Sequence, residues 1–296
     1  MSHREVIYRQ LNKDYAYWTE KRRVGQQRGG QLSALLSYVE DGQVRQNVLF
    51  DAGLGVLEAI ADFCDDDFWD RPLAVFITHG HIDHHAELMI LSEIYCLRRG
   101  EDMYDVRPPL AIYATEKTQL HLERTHWYGY HGGNTLQHAC LDPGEPLFLP
   151  PFCITPFAVD HFEGAVIYTV TFELEQAHKI LVGWDMTTLP TARRQLQSLR
   201  RPSLALLEAT TWTDMARDVG HTSVQALVES GFLPALDLTY DPPTQQYGAY
   251  LVHYSGWEDP GGMLSDAELK EKFDATYPRL APLVRVAQRG QTWRFT

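Results

Sequence analysis

The chain has 296 residues, of which 44% are hydrophobic and 22% charged. That is enough apolar surface to offset the entropy of ordering, so a disordered chain is excluded. No apolar run, neither Leu73 to Thr78 nor Pro202 to Leu207, approaches the roughly 20 residues a helix needs to cross a bilayer. With 26 basic and 39 acidic residues the net charge is −13, which argues against a protein that lives by phosphate-backbone contacts. The start, Met1-Ser2-His3-Arg4-Glu5, has no apolar signal core, and four scattered cysteines, Cys64, Cys96, Cys140 and Cys153, form no CxxC pair. The expectation is a reduced, cytoplasmic protein with no membrane contact.

In chain order, Ser33 to Glu40 and Val44 to Asp51 are strand-like runs joined at Asp41-Gly42, a hairpin signal. Gly53 to Cys64 reads as a helix and Leu73 to Thr78 as a short buried strand. Ala86 to Arg99 is a helix stopped by Gly100. Leu110 to Ala114 is a strand and Thr115 to Arg124 a helix. Residues 126–151 hold Trp127, Tyr128, Tyr130, two glycines and several prolines, and read as a long loop, serving as a lid or an interface. Phe152 to Val159, Ala165 to Leu174 and Lys179 to Val182 follow as strands. Then come a helix at Leu189 to Arg200, a strand at Ser203 to Glu208, and a helix at Thr222 to Ser230 capped by Thr222 or Ser223. A strand at Tyr250 to His253, a helix at Asp266 to Thr276 and a strand at Leu283 to Ala287 complete the chain. The order implies one domain over residues 1–296 made of two similar halves, each a sheet with helices on one side.

Thirteen histidines is the unusual count. Thr78-His79-Gly80-His81-Ile82-Asp83-His84-His85 follows directly on a buried strand. Imidazole and carboxylate are the usual nitrogen and oxygen donors for Zn²⁺ and similar ions. Four such donors so close to an apolar strand are costly to bury without a metal. His126, His131, His138 and Cys140 fit no zinc spacing.

The residues His79-x-His81-x-Asp83-His84 resemble the signature of the metallo-β-lactamase superfamily. Val48-Leu49-Phe50-Asp51-Ala52-Gly53 resembles that family's strand ending in Asp-x-Gly. Val159-Asp160-His161, Leu181-Val182-Gly183-Trp184-Asp185 and Val252-His253-Tyr254-Ser255 are similar to its three later ligand strands. The resemblance spans almost the whole chain and implies an α/β fold, a four-layer αββα sandwich. It also implies two divalent ions, Zn²⁺ by preference with Mn²⁺ or Fe²⁺ as alternatives. His79, His81 and His161 would hold one ion, and Asp83, His84 and His253 the other. Asp185 would bridge, and His85 would support the ligands.

Leu206-Leu207-Glu208-Ala209-Thr210-Thr211 resembles the His-Glu-Ala-Thr motif of ribonuclease Z, with Leu207 in place of the His. Gly220-His221-Thr222-Ser223 resembles the Gly-His-Ser-Thr that follows it. The implied function is a hydrolase in which a metal-bridging hydroxide attacks a small or cyclic phosphodiester. Asp83, His221 and Glu208 serve the catalysis, with Glu208 orienting His221. The alternatives are a ribonuclease Z-like tRNA 3′-end endonuclease, or a lactone or thioester hydrolase on the same fold. The charge and the lack of a basic arm disfavour large nucleic acid, and the branch implies a homodimer.

Overall fold

The computed structural model describes residues 3–13, 31–98, 108–190, 193–214, 220–255 and 264–296. The chain divides into two units, Met1–Asp142 with Arg289–Thr296, and Pro143–Gln288.

The first unit is built on a seven-stranded sheet. Its strands are β1 (Arg4–Asn12), β2 (Ser33–Glu40), β3 (Gln43–Phe50), β4 (Leu73–Phe76), β5 (Leu110–Ala114), β6 (Leu136–Cys140) and the C-terminal β16 (Thr292–Phe295). The spatial order is β16-β1-β2-β3-β4-β5-β6. The β16–β1, β1–β2 and β2–β3 pairs are antiparallel, and β3–β4, β4–β5 and β5–β6 are parallel. Parallel neighbours need crossovers, and these carry the helices α1 (Val56–Phe63), α2 (Leu88–Arg98) and α3 (Glu116–Thr125). Val56, Ala59 and Ile60 of α1 and Leu88, Leu91 and Tyr95 of α2 pack with Leu35, Leu49, Val75 and Ile112 of the sheet in one core. The opposite sheet face is also buried, with Phe76 stacked on Tyr113 at 4.6 Å. This is why β4 reads as an unbroken apolar run, Leu73-Ala74-Val75-Phe76, and not as an alternating one.

The second unit repeats the plan. Its strands are β7 (Leu147–Leu149), β8 (Phe152–Ala158), β9 (Val166–Glu173), β10 (Ala177–Gly183), β11 (Leu204–Glu208), β14 (Ala249–Val252) and β15 (Val284–Val286), in the spatial order β15-β14-β11-β10-β9-β8-β7. The β7–β8–β9–β10 run is antiparallel, and β10, β11, β14 and β15 are parallel. A small ribbon, β12 (Tyr240–Asp241) with β13 (Gln246–Tyr247), lies outside this sheet. The helices are α4 (Arg193–Leu199), α5 (Val224–Glu229), α6 (Phe232–Ala235) and α7 (Asp266–Thr276). Ser223 caps α5 by accepting from the Ala226 N–H, and Ser265 with Glu268 forms a capping box on α7. Lys179 donates to the Ser198 and Arg200 carbonyls at the end of α4.

Two features differ from the sequence reading. β1 and β16 were not anticipated. In β1 the buried Val6 and Tyr8 alternate with Glu5, Ile7 and Arg9, and the charges among these mask the pattern. Residues 126–151 are not one long loop. They hold β6, β7 and a π-helical turn at Tyr128–Gly132. β6 is an edge strand with only Leu136 buried, so it carries no periodic apolar signal. The expected stop of α2 at Arg99 and Gly100 lies outside the described residues.

Candidate metal centre

Every expected ligand sits at or just beyond the C-terminal end of a strand, most of them parallel strands, where open α/β sheets place their ligands. In the first unit β4 runs into Thr78, His79 and the turn Ile82–His84. Asp51, directly after β3, organises this turn. Thr78 donates to it twice, from N–H and Oγ1–H, each at 2.8 Å, and His84 Nδ1–H donates at 2.7 Å. Thr78 Oγ1 lies 3.1 Å from His79 Nδ1, and since its own proton goes to Asp51 it accepts there. His79 and His84 are therefore both held by Nδ1 and present Nε2. His79 Nε2 lies 3.0 Å from His81 Nδ1, and His84 Nε2 lies 3.5 Å from Asp83 Oδ2.

Gly53 admits this turn. A Cβ there would lie 1.9 Å from the Asp83 carbonyl oxygen. His85, one step beyond, is buried, and its Nε2–H donates to the Gly80 carbonyl at 3.1 Å. Burial outweighs that bond and pushes its pKa down to about 4.

In the second unit β10 delivers Asp185, β11 delivers Glu208 and β14 delivers His253. Asp185, Glu208, His221 and His253 place one donor atom each within 4.8 Å of one another. Glu208 is fully buried and is the hub of this group. Its Oε1 accepts from His221 Nδ1–H at 2.7 Å and from Thr210 Oγ1–H at 2.6 Å, and its Oε2 accepts from the Met186 N–H at 2.6 Å. Thr210 Oγ1 in turn accepts from His253 Nδ1–H at 3.0 Å. His161 Nδ1–H donates to the Gly220 carbonyl at 2.5 Å, which also accepts from Thr187 Oγ1–H.

His221 also has Asp185 Oδ1 at 3.3 Å. Burial disfavours its charged ring, but the bonds to Asp185 and Glu208 prevail and raise its pKa to about 10. Both oxygens of Glu208 accept from protein donors, the Thr222 N–H at 3.3 Å among them.

The donor set fits divalent metal. Metal-ligating histidines usually donate their second ring N–H to a carboxylate, carbonyl or hydroxyl, which fixes the tautomer and aims the other nitrogen. His79, His84, His161 and His253 all do this through Nδ1. Three of the central residues, Asp51, Asp185 and His253, adopt left-handed backbone with φ of 57°, 59° and 62°. Such conformations cost of order 1–3 kcal/mol each and persist where the surroundings over-determine them.

The sequence reading missed Thr78 and Thr210 as hydrogen-bond relays, and it gave Asp51 no role. Asp51 stands in the Asp-x-Gly motif and Thr210 in the stretch that resembles His-Glu-Ala-Thr, whereas the only signal for Thr78 is its place beside His79 at the end of an apolar strand.

The model of the family described as the beta-lactamase superfamily domain matches residues 46–237. No curated protein matches the sequence. Among solved structures, a diphosphatase from the PhnP family is similar at 18% identity and TM-score 0.67, covering 100% of this chain and 98% of its own. Human tRNase Z, short form, is similar at 17% identity and TM-score 0.63, covering 97% and 98%. Yeast PDE1 is similar at 15% identity and TM-score 0.62, covering 100% of both chains.

Proposed function

The chain belongs to the beta-lactamase superfamily and is a hydrolase of the metallo-β-lactamase fold, and from that premise we propose that it is a two-metal phosphodiesterase acting on a small or cyclic phosphodiester. His79, His81 and His161 hold one ion in this reading, and Asp83, His84 and His253 the other, with Asp185 shared. When bound, the ions supply a water acidified toward neutral pH and positive charge for the phosphoryl oxygens, Zn²⁺ being preferred and Mn²⁺ or Fe²⁺ also suiting these donors.

The chain's own residues do the rest. Asp51, Thr78 and Thr210 hold the histidine ligands in one tautomer, so no ring has to reorient during turnover. Glu208 fixes His221 through Nδ1, and the imidazolium that this pairing favours turns its Nε2–H toward the substrate. There it donates to a phosphate oxygen or to the leaving oxygen.

The observation that carries the reading is the Glu208–His221 pair, 2.7 Å apart on a wholly buried carboxylate. A lactone or thioester hydrolase has no use for such a pair. The net charge of −13 favours a small diester over tRNA, and four scattered cysteines with no CxxC pair suit the cytoplasm. The test is hydrolysis of bis(p-nitrophenyl) phosphate by protein stripped of metal and reloaded with Zn²⁺ or Mn²⁺. Metal-dependent turnover that collapses in His221→Ala supports the reading. Turnover of a lactone or thioester that His221→Ala leaves intact overturns it.

A further inference from the structure

His85 and His126 are far apart in sequence and meet ring to ring, Nδ1 to Nε2, at 2.8 Å. Both are buried. The other edge of His85 closes on the turn between two expected ligands, with Nε2 3.1 Å from the Gly80 carbonyl. A carbonyl oxygen only accepts, so Nε2 of His85 carries the proton. The result is a relay of two hydrogen bonds, between His126 Nε2 and His85 Nδ1 and from His85 Nε2–H to the Gly80 carbonyl.

Both ends of the relay are fixed. His126 closes α3, with its N–H donating to the Leu122 carbonyl at 2.8 Å. Its own carbonyl accepts the Gly129 N–H at 2.9 Å, at the start of the π-helical turn. At the other end Gly80 stands between His79 and His81, whose ring nitrogens are 3.0 Å apart. The orientation of the Gly80 peptide sets how those two side chains diverge.

We propose that His126 is a positioning residue for the metal centre: through His85 it holds the Gly80 peptide and with it the spacing of His79 and His81. It touches no ligand and no substrate. The inference rests on the metal-centre reading above and deepens it, because it makes the end of α3 part of the apparatus that shapes one ion's ligands.

The experiment uses the whole chain, wild type, His126→Ala and His126→Gln. The first readout is the nitrogen–nitrogen coupling across the His126–His85 hydrogen bond, measured by NMR on ¹⁵N-labelled, metal-free wild type. The second is Co²⁺ binding to metal-stripped protein, by chelator competition and by visible absorption, beside the melting temperature. The expected result is a detectable coupling, affinity for one Co²⁺ equivalent lowered about tenfold in His126→Ala with an altered absorption band, and recovery of both in His126→Gln, whose amide can donate in place of the ring. A missing coupling overturns the proposal. So does Co²⁺ binding in His126→Ala that matches wild type, or binding in His126→Gln as poor as in His126→Ala. A wild type that shows the coupling but takes up no Co²⁺ sinks the metal-centre reading itself, and the positioning role with it.

Discussion

Thr210 Oγ1 accepts the Nδ1–H of His253 at 3.0 Å and passes its own proton to Glu208 at 2.6 Å. One hydroxyl thereby links an expected metal ligand to the carboxylate that holds His221. His253, Thr210, Glu208 and His221 are thus parts of one hydrogen-bonded group.

Thr210→Val tests that link directly. Valine keeps the shape but removes the hydroxyl, leaving a buried His253 N–H and a Glu208 oxygen each short of a partner. Unmade buried hydrogen bonds cost about 1–3 kcal/mol each. The melting temperature should fall, and metal affinity should fall with it. Equal metal affinity in Thr210→Val and wild type would show that His253 needs no help from Thr210.

His221→Ala and Glu208→Gln should act as one unit. A general acid contributes about 10²–10⁴-fold, so His221→Ala should lower kcat on bis(p-nitrophenyl) phosphate by at least about 10²-fold with metal content unchanged. Glu208→Gln should lower it as well, and the double variant should be little worse than His221→Ala. Additive losses from the two variants would mean that Glu208 acts independently of His221.

Asp51→Asn removes the carboxylate that accepts from His84 and, twice, from Thr78. Supporting groups of this kind are worth about 10–100-fold in metal affinity. Equilibrium dialysis should find metal binding weakened by that factor, because Asp51 holds His84 directly and His79 through Thr78.

Gly53→Ala asks whether the turn tolerates any side chain. A Cβ 1.9 Å from the Asp83 carbonyl oxygen meets backbone, which cannot step aside as a flexible side chain would. Overpacking of this kind costs about 1–3 kcal/mol or more. The variant should melt lower and lose metal uptake, measured on the same sample.

The candidate ligands could be singled out in the sequence because each is a polar residue at or beyond the end of an apolar strand, and His79, His81, Asp83 and His84 lie in one short run. The fold class was legible for a related reason. Buried strands such as Leu73-Ala74-Val75-Phe76 and Leu204-Ala205-Leu206-Leu207 are continuous apolar runs between helices. What stayed hidden is long-range. Asp51 meets His84 across 33 residues and His85 meets His126 across 41, and nothing local marks either pair. The left-handed backbone at Asp185 and His253 is imposed by surroundings that no single residue reveals. β6 escaped notice because an exposed edge strand such as Leu136–Cys140 has too little to bury.

A change remote from the site gives the contrasting case. Lys179→Met removes the ammonium that holds the carbonyls at the end of α4. Its loss should cost about 0.5–1.5 kcal/mol of stability, visible in denaturant unfolding, with kcat and metal content as in wild type. A drop in kcat at full metal content would show that α4 reaches the chemistry.

The number of metal ions the chain holds, and what they do, is the most direct test. Elemental analysis of protein stripped and reloaded with Zn²⁺ should find two ions per chain. Diester hydrolysis should return in step with them, and Asp185→Asn should lose both ions and activity. A wild type that binds no more than one ion, or that hydrolyses the diester equally well without metal, would contradict it.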